Sequence, residues 1–158
     1  MRRKVPILYI DALPARLDGH GEVESVGLLL RATSEGTISR ALVSGRVLFH
    51  ETIREALARH LDKDLGPMAL PRLPQSLVPY AVGEYFPTPG GPFHDPRQHA
   101  VSLAYVVPVV GDCQPANDTL ELTWLTPAEA VTPEILNDMI EGHAILLKQA
   151  LAHLGRLR

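Results

Sequence analysis

The chain has 158 residues, is 46% hydrophobic and 21% charged, and carries 15 Lys plus Arg against 18 Asp plus Glu for a formal net charge of -3. That mixture excludes wholesale disorder and the overall basic field of a nucleic-acid binder, and the length suits one domain spanning 1–158. A single cysteine, Cys113, excludes an intrachain disulfide and fits a reducing, cytoplasmic setting, and no apolar run approaches the ~18 residues of a membrane-spanning helix.

The first element is a buried strand over Val5–Ile10, a continuous apolar run that ends before Asp11. That run is too short for the core of a signal peptide, despite the basic start. Gly19 to Gly21 reads as a turn, Val23–Ala32 as a second strand, and Ser34 to Gly36 as another turn. Thr37–Val43 is a third strand and Val47–Phe49 a short fourth. From Glu51 the period changes to helical, with Ile53, Ala56, Leu57 and Leu61 on one stripe and a stop at Gly66-Pro67.

Eight of the 14 prolines fall between Pro67 and Pro96. Proline removes a backbone donor and disfavours helix in the residue before it, so this stretch is expected to be a loop with at most a short edge strand within Val78–Phe86. Tyr80, Tyr85, Phe86 and Phe93 give it something to pack with.

His99–Val110 is a long strand interrupted near Pro108, Gly111–Asp118 a loop, and Thr119–Trp124 a half-buried alternating strand. Thr126-Pro127 with Glu129 forms a capping box opening a short helix, and Thr132-Pro133 repeats the start. From Ile135 through Leu147 to Leu154 an apolar stripe predicts a terminal helix ending at Gly155. The class is mixed α/β. His143 reads as a core histidine and Trp124 as core. His94, Asp95 and His99 read as a polar loop entering a strand, because their spacing fits no standard metal-ligand pattern.

The segment Gly45 to Gly66, GRVLFHETIREALARHLDKDLG, resembles the Nudix box. That box has a Gly, five residues, a Glu, seven residues, then Arg-Glu-apolar-x-Glu-Glu-x-Gly. Gly45, Glu51, Arg59, Leu61 and Gly66 stand in frame, whereas the three later glutamate positions hold His60, Lys63 and Asp64. HDPRQHAVSLAYVV (His94–Val107), LTWLTPAEA (Leu122–Ala130) and GHAILLKQALAHL (Gly142–Leu154) resemble segments of the ADP-ribose pyrophosphatase group of that family. The resemblance implies the Nudix fold, a mixed β-sheet sandwiched between helices, with the box as a loop-helix-loop. It implies hydrolysis of a nucleoside diphosphate linked to another moiety, assisted by Mg²⁺ or Mn²⁺. Glu51, Arg59, His60 and Asp64 then take the catalytic positions, Asp64 and His60 the metal positions, and Gly45, Lys63 and Arg97 contact substrate.

Positions 60, 63 and 64 share one helical face, but the residues there leave one carboxylate beside an imidazole and an ammonium. Imidazole suits transition metals better than Mg²⁺, and Lys63 repels a dication. Glu51, Glu55, Asp62, Glu84 or Asp95 are the carboxylates from which a metal site would have to be rebuilt. Lys63 either places its ammonium where the family places a metal, as a phosphate-binding point charge, or is a solvated helix charge. Two functions follow: a Nudix hydrolase of reduced activity, which leads, or an inactive Nudix domain that binds a nucleotide-like ligand as a sensor or interaction module. A small-molecule nucleotide derivative is the expected partner, with no nucleic acid and no membrane; a homodimer is compatible. The proline-rich stretch is expected to form a stiff, aromatic-bearing wall over the diphosphate site.

Overall fold

The computed structural model describes residues 5–32, 36–115 and 119–156. The elements run β1 (Ile7–Leu17), β2 (Val23–Ala32), β3 (Ile38–Ala41), β4 (Val43–Arg46), α1 (Ile53–Leu65), β5 (Ala81–Tyr85), β6 (Ala100–Pro108), β7 (Thr119–Leu125), α2 (Pro127–Ala130), α3 (Pro133–Asn137) and α4 (Glu141–His153). The seven strands form one mixed sheet in the order β3-β2-β1-β6-β5, with β4 pairing β1 and β7 pairing β2. β1 and β6 run parallel from Ile7↔Ala100 to Ala15↔Pro108, and β1 and β4 pair antiparallel with Ile10↔Gly45 and Asp11↔Ser44.

Period-two alternation along β1 divides the core. Ile10 and Ala12 join Leu57, Leu61 and Leu65 of α1 on one face. Leu13 and Ala15 join Leu146, Leu147 and Leu151 of α4 on the other. The sheet is thus covered on both faces, as the sequence led us to expect. No helix among the described residues is long and apolar enough to cross a membrane.

Several boundaries differ from the sequence expectation, each for a tertiary reason. β1 runs on past Ile10 to Leu17, because β6 supplies a parallel partner as far as Ala15; Asp11 and Pro14 lie inside it. Thr37–Val43 is two strands split at Leu42, whose backbone N–H donates to His143 Nδ1 at 3.3 Å. Val47–Phe49 is not a strand. The chain turns there, with His50 at φ 64, and Glu51 accepts from the Leu48 N–H (2.9 Å) while its own N–H donates to the Leu48 carbonyl (3.0 Å). The terminal stripe is broken between α3 and α4, because the Asp138 carbonyl accepts from Arg40 N–H at 2.8 Å and Met139 bridges to Arg40. Pro108 closes β6 and does not interrupt it. The turn expected at Ser34–Gly36 falls mostly, and the 111–118 loop partly, outside the described residues.

The box helix and the short helix follow the sequence closely. α1 ends at Gly66, whose N–H donates to the Asp62 carbonyl. Its start carries a capping box that the reading from Glu51 passed over: Thr52 accepts from the Glu55 N–H, and Glu55 accepts from the Thr52 N–H. α2 carries the expected Thr126/Glu129 box.

Candidate functional site

The box residues converge on the α1 side of the sheet. Arg59 donates to Glu51 twice, from Nε to Oε2 at 2.7 Å and from Nη2 to Oε1 at 2.9 Å, and Nη2 also reaches the Arg46 carbonyl at 2.9 Å. Glu51 and Arg59 therefore brace the loop between β4 and α1. The Arg59 hydrogen bonds, with the Leu48 N–H, lower the Glu51 carboxyl to about 2 from an ordinary 4.5. A depressed folded-state pKa contributes stability above the unfolded value that is lost as the pH falls through the folded one. The brace should thus be fully present above about pH 4.5 and gone near pH 2. In urea unfolding, the gap between wild type and E51Q should narrow steadily across that range; a pH-independent gap would contradict the brace.

His60 is buried against the box glycine. Its Nε2 lies 2.8 Å from the Arg46 carbonyl, and a Cβ built on Gly45 would stand 1.9 Å from His60 Cε1. The glycine is there because the imidazole lies flat against the strand backbone. Asp64 is also buried, and its Oδ2 sits 2.6 Å from Arg31 Nη2 of β2. Burial raises the Asp64 pKa, and the charges of Arg31 and Lys63 offset this only in part. Lys63 is exposed on the last turn of α1.

This donor set does not fit a Mg²⁺ or Mn²⁺ ion. Such hard cations need several oxygen ligands. Here the one carboxylate at the three box positions is paired with the chain's own guanidinium, and the imidazole is bonded to a strand carbonyl. Glu51 is held by Arg59 and Asp95 by Arg97, and Glu55 is engaged in the helix cap. Among the described residues no group of three or more His, Cys, Asp or Glu side chains is arranged to hold a metal.

Arg97 is not near these groups. It donates to Asp95 through Nε and Nη2, both at 3.0 Å, at a cavity on the opposite, α4 face of the sheet. The cavity measures about 230 Å³, and its inner lining includes Tyr9 and Asp11 of β1, Ser44 of β4, Tyr85 of β5, Ser102 of β6 and His143 of α4. Neighbouring residues divide between the two faces: Gly45 meets His60, whereas Ser44 faces the cavity.

Asp11 is the buried carboxylate beside this cavity. It is 2% exposed. Ser102 Oγ donates to its Oδ2. Burial raises its pKa, but the facing His143 imidazole and hydrogen bonds from Ser102 and Ser44 outweigh burial and hold it below the ordinary carboxylate value. Sequence reasoning missed Asp11, Ser44 and Ser102. The available signal was a carboxylate set between the apolar runs VPILYI and ALPA, a residue type seldom buried without a partner. His143 is buried as expected, yet it also lines this cavity.

The proline-rich stretch divides between the faces. Arg54 of α1 holds it through the carbonyls of Pro74 and Gln75 (2.9 Å to the latter), and Leu73 and Leu77 pack on the α1 cluster. Its aromatics do not wall the box. Tyr80 packs on the α4 side and donates to the Leu146 carbonyl at 2.8 Å, and Tyr85 meets Phe93 edge-on at 5.2 Å. Trp124 packs on the α1-side cluster, under the guanidinium of Arg16.

A family model described as a domain of unknown function, DUF4916, matches residues 1–156. The chain belongs to that family. The DUF4916 domain has the Nudix fold, as its box frame implied. It is similar to a Jonesia denitrificans protein designated a possible asymmetric diadenosine tetraphosphate (Ap4A) hydrolase, at 62% identity and TM-score 0.94, with 98% of each chain covered. It shares its fold with the Nudix domain of Shewanella oneidensis NrtR, solved with ADP-ribose, at 19% identity and TM-score 0.62, covering 96% of this chain and 90% of that one. It also shares it with a MutT Nudix hydrolase from Burkholderia pseudomallei at 17% identity and TM-score 0.65, covering 92% and 98%. No curated protein matches the sequence.

Proposed function

We propose that this DUF4916 domain binds a nucleotide derivative without a divalent metal and without turning it over. The observation that carries this reading is the Arg31–Asp64 pair. A Nudix hydrolase uses box carboxylates to hold a cation against the diphosphate. Here the one carboxylate retained at the three box positions is buried and neutralised by a cation of the chain itself. Lys63, on the same helix, supplies positive charge for a diphosphate, and Arg97 supplies a second cationic contact at the cavity.

The test is a panel of ADP-ribose, Ap4A and nucleoside di- and triphosphates, followed by thermal shift and by phosphate release, with Mg²⁺, with Mn²⁺ and with chelator. A ligand at about a hundred times its Kd stabilises by about 2.7 kcal/mol, which in a chain of this size raises Tm by roughly 5–10 °C. That shift should be the same with metal and with chelator, several-fold weaker in apparent affinity for K63A, and unaccompanied by phosphate release. Metal-dependent release would overturn the reading. One observation favours a second reading, a hydrolase: the designation of the 62% identical Jonesia protein. It requires Asp64 to leave Arg31, and Mg²⁺-dependent release from Ap4A would establish it.

A further inference from the structure

A second opening lies at the other end of β1. Two cavities adjoin there, of about 410 and 280 Å³, and both are bordered by Leu17, Gly21 and Pro108. They make one cleft over the C-terminal ends of β1 and β6. Arg16, on its rim, stands five residues beyond Asp11 on the same strand, about 17 Å at the rise of a β-strand. The cleft is therefore distinct from the Asp11 cavity and from Gly45, which pairs with Ile10.

The two halves differ in chemistry. The smaller is mainly aliphatic, lined by Val23, Val78, Val106 and Leu154. Tyr80 also borders it, with its hydroxyl already given to the Leu146 carbonyl and its ring stacked on His153. Along the cleft Leu17, Val78 and Val110 leave 43%, 75% and 55% of their surface uncovered. An alkyl chain laid over that surface gains because both leave water.

The larger half holds charge. Arg16 is fixed there: Nη1 donates to the Val109 carbonyl at 3.1 Å, Nη2 lies 3.8 Å from Cys113 Sγ, and the guanidinium stands 4.6 Å over the Trp124 ring. Arg72 is exposed, and its guanidinium makes no hydrogen bond or ion pair among the described residues. Only its backbone N–H is engaged, with the Pro108 carbonyl at 2.7 Å. The acid of this half, Asp18, accepts the His20 and Glu22 N–H groups on Oδ1 at 2.8 and 3.0 Å, so part of its charge is spent on its own turn. Two guanidiniums against one such carboxylate leave a local positive excess in a chain of net charge -3.

We propose that this cleft binds an alkyl carboxylate, its chain along the aliphatic half and its carboxylate on the guanidinium of Arg72, beside the fixed charge of Arg16. The guanidinium fork matches a carboxylate with two parallel hydrogen bonds, and charge complementarity selects the acid over an uncharged alcohol of the same length. The site goes beyond the nucleotide reading and does not depend on it.

The experiment is isothermal titration of the full chain with hexanoate, octanoate, decanoate and octan-1-ol. Octanoate should bind at a single site, and affinity should rise about tenfold for each two methylenes added. Octan-1-ol should bind about fivefold more weakly than octanoate, the ratio carried by an ion pair open to solvent. R72A should remove most of that preference and leave the affinity for octan-1-ol unchanged. ADP-ribose should not displace octanoate. The comparison of octanoate with octan-1-ol on the wild type needs no variant to fold. Absence of saturable binding, equal affinity for octanoate and octan-1-ol, or a preference that R72A keeps overturns the proposal. Displacement of octanoate by ADP-ribose also overturns it, because the acid is then in the nucleotide's site. Binding of octanoate with no binding of any nucleotide supports the proposal and overturns the nucleotide reading alone.

Discussion

Replacing Arg31 by methionine should destabilise the protein by about 3 kcal/mol at neutral pH, read from urea unfolding. Asp64 is nearly inaccessible, with 3% of its side chain exposed, and Arg31 is its ion-pair partner at 2.6 Å. Removing one member of a buried pair strands the other charge, at a cost of roughly 3–5 kcal/mol. The lower end applies because 26% of the Arg31 side chain reaches solvent, which screens the pair. The pH dependence follows from the Asp64 pKa, raised above 3.8 by burial and only partly offset by Arg31 and Lys63. A carboxyl whose folded pKa lies above its unfolded value binds more protons when folded, so its contribution to stability declines as the pH rises through that window. Without Arg31 the folded value climbs further. The deficit of R31M should therefore shrink as the pH is lowered and Asp64 takes up its proton. The double variant R31M/D64L, apolar on both sides, should recover most of the loss. A single variant within about 0.5 kcal/mol of wild type would mean that the pair is not the element that neutralises Asp64.

The second large effect is expected at Gly45. A Cβ there would lie 1.9 Å from His60 Cε1 and 2.4 Å from both ring nitrogens. The ring cannot swing aside freely, because it is buried and held to the Arg46 carbonyl at 2.8 Å. Overpacking of this kind costs about 1–3 kcal/mol, so G45A should lower the unfolding free energy by that amount, read from urea unfolding. H60A removes the obstacle, and G45A/H60A should be more stable than the sum of the single losses by about 0.5–3 kcal/mol, the range of coupling between touching residues. Additive losses would mean that Gly45 and His60 do not share this space.

The box frame was legible because its information is local. A helix of period 3.6 stopped by a glycine can be read from adjacent residues, and α1 runs Ile53–Leu65 with Gly66 as its cap; its Thr52 capping box was equally local but was passed over. The Thr126/Glu129 box and the edge strand within Val78–Phe86 were legible for the same reason. The strand at Val47–Phe49 was misread because its β-prone residues are overridden by the Leu48–Glu51 turn, which depends on Arg59 arriving from the helix. The long terminal helix was misread because the backbone at Asp138 and Met139 serves β3. The substituted box positions were visible, but not what each substituent meets: Arg31 and Arg46 lie on strands, and their proximity to α1 is a matter of sheet packing.

The sequence by itself determined the class of fold, the box frame, the helix at its centre and the residues His60, Lys63 and Asp64 at the three later box positions, because periodicity and fixed spacings are properties of neighbouring residues. Only the tertiary structure decided that Asp64 pairs with Arg31, that His60 lies against Gly45, and that Asp11 is buried between Ser102 and His143 beside a cavity. Each of these depends on strands and helices far apart in the chain meeting at a defined register. Burial of a charge, which sets both its energy and its use, exists only once those elements have closed over it.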